Sequence, residues 1–247
     1  MARYKIVVSY DGTDYFGWQR LKDQPSICAM LEERFKLVFN RTISILGASR
    51  TDAGVHALGQ VACFDTDLKL EPERMLEAWN RLLPESIKIL SLEKKWANYN
   101  CHAHVAFKVY EYVFFQKRPS PFHARYGWHY YSQVDVNKLK QCLQVFVGTH
   151  DFRSFCTGYD RPDTVRSIDN ARVEYDTTID GYRIIIEGQS FLRHMIRRIV
   201  GACLHVASRD TLTVKDLEVA LAEKTPAQTL PNAPAKGLTL VTIHYIE

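Results

Sequence analysis

Residues 26–39, Ser26-Ile27-Cys28-Ala29-Met30-Leu31-Glu32-Glu33-Arg34-Phe35-Lys36-Leu37-Val38-Phe39, put Leu31, Phe35 and Val38 on one face of a helix. Ser26 stands where its hydroxyl caps the first turn. Upstream, Ile6, Val8 and Tyr10 alternate with Lys5, Val7 and Ser9 and run into Asp11-Gly12, the pattern of a strand ending in a turn. Downstream, the pattern predicts a short strand over 42–46, a glycine-punctuated loop over 47–59 and a strand over 60–65. Pro72 opens a helix over 73–83, Pro84 closes it, and 86–96 is strand-like. The order β-α-β-β-α-β is that of split βαβ, ferredoxin-like domains.

From residue 105 onward a looser version of the same order follows. Residues 109–116 read as an aromatic strand, and 136–147 as a helix stopped by Gly148. Strands over 171–175 and 182–188 are joined through Asp180-Gly181, and 191–206 carries the strongest helical pattern in the chain. A helix over 214–222, a proline-rich loop and a strand over 238–245 complete the pass. The fold class expected is α+β in two lobes, 1–105 and 106–247.

The composition is that of a globular protein: of 247 residues, 46% are apolar and 24% charged, with 12 Gly and 9 Pro. This excludes collagen-like, low-complexity and largely disordered chains. The longest apolar run, near 199–204, contains Gly201 and falls well short of the roughly 18 residues of a membrane span. Met1-Ala2-Arg3 leads straight into strand-like sequence, so a soluble cytoplasmic protein with no membrane contact is expected. The six cysteines are widely spaced and form no C-x-x-C pair, so they read as reduced core fillers. A net charge of +4 permits a polyanionic partner, and the 13 Tyr, 12 Phe and 4 Trp supply rings on which unpaired bases stack.

Gly47-Ala48-Ser49-Arg50-Thr51-Asp52-Ala53-Gly54-Val55-His56 is longer and more polar than a connection between two strands needs. If the segment is extended, Arg50 and Asp52 share a direction opposite to Thr51. A surface Arg–Asp pair on a turn shaped by Gly54 would give the same spacing. Cys101-His102-Ala103-His104 lacks the second ligand pair of a zinc site and reads as loop polarity. Lys117-Arg118, Arg125 beside Tyr126, and Arg161 with Arg166 fit phosphate contacts or solvated surface charges equally.

Arg50-Thr51-Asp52-Ala53-Gly54-Val55-His56-Ala57, with Gly59-Gln60, resembles the signature of the tRNA pseudouridine synthase A family. Residues 10–19 (YDGTDYFGWQ), Lys108-Val109-Tyr110-Glu111-Tyr112, His150-Asp151-Phe152 and Val165-Arg166-Ser167-Ile168 resemble further blocks of it. So do Phe191-Leu192-Arg193-His194-Met195-Ile196-Arg197 and Ala233-Pro234-Ala235-Lys236-Gly237-Leu238, in the family's order along the chain. Ser49 replaces a common Gly, Ser26-Ile27-Cys28 replaces Thr-Val-Gln, and Val206-Ala207-Ser208-Arg209 replaces a glycine-containing turn.

The resemblance implies two ferredoxin-like or RRM-like lobes with antiparallel mixed sheets flanking a basic active-site cleft. It implies a homodimer that needs no cofactor or metal and that isomerises uridine to pseudouridine at positions 38, 39 and 40 of the tRNA anticodon stem-loop. The tRNA elbow and stem phosphates are expected partners. By the same resemblance Asp52 is the nucleophile, Tyr110 stacks on the substrate, Arg197 pairs with the aspartate, Arg50 displaces the target base, and Lys108 begins the basic-x-Tyr-x-Tyr strand. The chemistry suits these types: a carboxylate assists glycosidic cleavage, and a guanidinium keeps it ionised in a dry pocket. A tRNA-binding protein without catalysis would tolerate loss of Asp52. A nucleoside hydrolase would need a second carboxylate, an activated water or a metal cluster.

Overall fold

The computed structural model describes residues 1–157, 163–225 and 231–246, and its class is α+β. In chain order the strands are β1 (Ala2–Tyr10), β2 (Leu46–Gly47), β3 (His56–Thr66), β4 (Ile87–Lys95), β5 (Val105–Phe115), β6 (Trp128–His129), β7 (Gly148–Asp151), β8 (Val165–Ile168), β9 (Asn170–Asp176), β10 (Gly181–Gly188) and β11 (Leu238–Tyr245). The helices are α1 (Ile27–Phe39), α2 (Pro72–Asn80), α3 (Pro121–Ala124), α4 (Val136–Gln144), α5 (Met195–Ala207) and α6 (Val214–Glu223). Two compact units result, Met1–Ala106 with Thr239–Glu247, and Phe107–Leu238. The strand over 238–245, grouped by sequence order with the second half, thus closes the first unit.

In the first unit β1 lies between β4 and β3, antiparallel to both, and β2 pairs antiparallel with β3. With α1 and α2 as the connections, this is the split βαβ arrangement. Alternate residues of β1, from Tyr4 to Tyr10, are buried on one face. There Phe35 of α1, Trp79 of α2 and Phe64 of β3 meet edge to face, with centroids 4.8–5.5 Å apart. The Trp79 indole donates to Leu31 O at 3.1 Å, which satisfies its one polar atom. Ser26 caps α1 by accepting from Ala29 N at 3.3 Å, so the departure at this helix start keeps a working cap.

β3 begins at His56 rather than near residue 60, which shortens the loop ahead of it to residues 48–55. The glycines at 54 and 59 made this stretch read as continuous loop. Pairing moves from Val8↔Gln60 to Tyr10↔Ala57, so Ser9 of β1 faces both Leu58 and Gly59 of β3, and this bulge absorbs the irregularity. β11 then runs parallel to β3 through Thr239↔His56 and Leu240↔Ala57. Gly59 permits that approach, because a Cβ there would lie 2.6 Å from Val241 O.

In the second unit β10 pairs antiparallel with β5 and β9, while β7 and β8 form a separate two-stranded ladder. α4 packs on α5 and on β9, and α6 packs on α5. Leu139, Leu143, Phe146, Phe155, Ile199 and Cys203 are fully buried and form the core of this layer. α5 starts at Met195, four residues later than its apolar period suggests, because His194 has φ +62° and interrupts the helix. Its far end reaches Ala207, where Ser208 N and Arg209 N bond to Leu204 O and Val206 O.

Candidate active site

The Asp52 loop is fixed mainly through its backbone. Ala48 N donates to Val61 O at 2.8 Å. Ser49 is held on both sides by the fully buried Gln60: its N–H donates to Oε1 at 3.2 Å, and Nε2 donates to Ser49 O at 2.6 Å. The serine is itself buried, so the loop accommodates it where glycine is common. Thr51 points inward, its hydroxyl 2.7 Å from that of Tyr10. Its neighbours are therefore turned the other way, and Arg50 is exposed and Asp52 half-buried.

Residues 10–18 brace this loop, a role for which the sequence motif alone offers no mechanism. Trp18 N donates to Thr51 O and Gly54 N donates to Tyr15 O, both at 3.1 Å. Val55 N closes a turn onto Asp52 O at 3.1 Å, with Gly54 at φ +76°. A Cβ on Gly12 would lie 2.0 Å from Val55 O, and one on Gly17, at φ +94°, 2.6 Å from Thr51 O. His56 Nδ1 lies 3.1 Å from both Gly12 N and Asp11 Oδ1. A neutral ring protonated on Nε2 accepts from Gly12, whereas a ring protonated on Nδ1 donates to Asp11, so one nitrogen cannot serve both contacts at once.

The second unit carries the other site residues. Lys108, Tyr110 and Tyr112 alternate along β5 and share one buried face. Lys108 sits opposite Gly188 and Tyr110 opposite Ile186. The Tyr110 ring meets Phe191 edge to face at 5.4 Å, which sets its orientation. Arg197, in the first turn of α5, donates from Nε to Ala233 O at 2.8 Å and accepts at its own carbonyl from Ala233 N at 3.0 Å. Tyr112 donates to Pro234 O at 2.9 Å. Burial pushes the Tyr112 phenol up, and the Arg197 charge opposes that shift. Residues 233–237 thus tie the arginine to the tyrosine strand, a role that the sequence block alone did not reveal.

The remaining sequence candidates scatter. Lys117 pairs with Asp180 at 3.5 Å and Arg166 with Asp163 at 3.2 Å. Arg118 and Arg125 are exposed, and Arg161 lies outside the described residues. Cys101 is buried 3.5 Å from the Cys63 sulfur and donates to Leu46 O, while His102 and His104 are exposed. Among the described residues no group of three His, Cys, Asp or Glu is placed to hold a metal. No helix among them is long and apolar enough to cross a membrane.

Comparison with known proteins gives the class first, that of an RNA-modifying isomerase. A family model described as tRNA pseudouridine synthase matches residues 6–104 and 142–246, which include the Asp52 loop and the Arg197 helix but not Lys108 or Tyr110. A protein of Thermodesulfovibrio yellowstonii named tRNA pseudouridine synthase A is 35% identical over 99% of this chain and 100% of its own length. One of Desulfotalea psychrophila, named tRNA pseudouridine synthase A 1, is 37% identical over 99% of this chain and 100% of its own. A third, from Streptococcus equi subsp. equi, is 34% identical over the full length of both chains. The chain belongs to the tRNA pseudouridine synthase family.

Proposed function

We propose that the protein isomerises uridine to pseudouridine in tRNA, at positions 38, 39 and 40 of the anticodon stem-loop, with Asp52 as nucleophile on an extruded base. It acts as a cytoplasmic homodimer that grips elbow and stem phosphates and needs no metal or cofactor. The observation that carries the reading is the setting of Asp52 within the matched region: a half-buried carboxylate on a loop braced by Tyr15, Trp18 and Gln60. The backbone that carries this carboxylate is fixed before substrate arrives, which lowers the cost of orienting it.

The reaction breaks the N1–C1′ bond of uridine, turns the uracil while it is held, and joins C5 to C1′ with loss of the C5 hydrogen. Asp52 supplies the nucleophilic carboxylate. Tyr110 stacks on the extruded base, and Arg50 fills the space that the base vacates. Arg197 keeps the carboxylate ionised as the pocket dries, and Lys108 contributes to holding the substrate. These four roles rest on the matching blocks. Their geometric support is the fixed orientation of the Tyr110 ring and of the Arg197 side chain.

The test is tritium release from unmodified tRNA labelled at uridine C5, comparing the wild type with Asp52→Ala. The expected result is release by the wild type and none by the variant, with tRNA binding retained. An intact wild type that binds several such tRNAs and releases nothing would reduce the protein to a tRNA-binding role.

A further inference from the structure

On the first unit, the sheet face opposite α1 and α2 carries Arg3, Lys5 and Lys95, which lie on the half-open side of the β1–β4 pairing. Beside it is a cavity of about 270 Å³ lined by Lys5, Lys95, Trp96, Asn98, Tyr99 and Tyr245, among others. Trp96 is 65% exposed, an unusual state for the largest side chain. Its ring is nonetheless held, edge to face with the buried Tyr99 at 5.3 Å and 89°. Lys95 Nζ lies 5.9 Å from the Tyr99 ring and Lys5 Nζ 5.7 Å from that of Tyr245, both within cation–π range. Glu93 lies 2.7 Å from Lys95 Nζ and opposite Lys5 across the β1–β4 ladder, so its single carboxylate faces both ammonium groups and leaves a net positive charge.

We infer that this cavity binds one unpaired nucleotide of the tRNA, away from the reacting uridine, with the base on Trp96 and the phosphate toward Lys5. The inference rests on the tRNA reading above. Three features favour a nucleotide. A fixed, exposed indole offers a face to any base. A lysine at the same cavity supplies a point charge for phosphate. The exposed Asn98 carries both a donor and an acceptor for a base edge. The volume is below the roughly 300–1,000 Å³ of drug-sized pockets, so one base fits better than a run of them.

The experiment measures the Kd of an unmodified tRNA transcript for the wild type, Trp96→Ala, Trp96→Phe and Lys5→Ala, together with kcat by tritium release. Trp96→Ala is expected to raise Kd by about 5- to 150-fold, the span of one lost base–aromatic stack, and Trp96→Phe to restore most of it. Lys5→Ala should lower the slope of log affinity against log salt by about one, while Trp96→Ala leaves that slope unchanged. All three variants should keep kcat at saturating tRNA. A Kd unmoved by Trp96→Ala, in a protein that still releases tritium, overturns the pocket alone. A Trp96-dependent Kd in a wild type that releases no tritium overturns the isomerase reading and leaves the pocket standing. Quenching of tryptophan emission by UMP that disappears in Trp96→Ala, with tRNA affinity unchanged, would assign the cavity to a free nucleotide and overturn its RNA role. A change in oligomeric mass in Trp96→Ala would overturn it in favour of a contact between copies of the chain.

Discussion

Gly17 shows how much of the site depends on residues that have no side-chain chemistry. Its φ of +94° lies where L-residues are strained, and the missing Cβ leaves room for Thr51 O. Gly17→Ala should destabilise the protein by at least about 1–3 kcal/mol, combining backbone strain with the clash. Urea denaturation would register this as a lower midpoint. Tritium release should fall further than the unfolded fraction explains, because the displaced backbone adjoins Asp52. Turnover that simply tracks the folded fraction would separate Gly17 from the placement of the carboxylate. Asp52 was singled out in the sequence by the block it lies in. The glycines, Gln60 and Ala233 were visible only as letters, since what they do is receive or exclude a backbone that arrives from elsewhere in the chain.

Among the elements, β1 and β3 are joined by a charged pair as well as by their ladder. Arg3 and Asp65 are cross-strand partners, with Nε to Oδ1 at 2.9 Å and Nη2 to Oδ2 at 2.6 Å. The hydrogen bond from Arg3 holds the Asp65 carboxyl below the usual range, and the same bond raises Arg3. A depressed carboxylate adds stability that is complete above its unfolded pKa of about 3.9 and is lost as pH falls through its lower folded value. Thermal unfolding measured from neutral pH down to about pH 2 should therefore show an acid-side loss that is smaller in Arg3→Gln. Parallel curves for the two proteins would mean that solvent screens the pair completely. Element types were read well where the period was long, as in α1. Boundaries failed where one residue's backbone outweighed the pattern: His194 shortened α5, and the bulge at Leu58-Gly59 extended β3 backward by four residues.

For the molecule as a whole, the α+β class and the split βαβ order of the first half followed from periodicity and turn residues. The origin of the first unit's final strand did not, because local pattern identifies a strand but not its neighbour. β11 reads the same whichever strand it pairs with, and its place beside β3 is set by Thr239 and Leu240 pairing with His56 and Ala57. Deleting residues 239–246 should therefore strip hydrogen-exchange protection from the amides of β3 more than from those of α4 and α5, which pack within the other unit. Uniform loss across both would show that the two units unfold together.

The return of β11 also has a meaning in time. On a ribosome, residues 107–238 are made between the body of the first unit and the strand that finishes it. At about 5–20 residues per second that is a delay of roughly ten seconds. Through that interval the edge of β3 around His56, the residue directly after the Asp52 loop, waits without its parallel neighbour. A chaperone that shelters bare strand edges would have its work there, and synonymous codons that slow or hasten translation between the two segments would set how long it must stay.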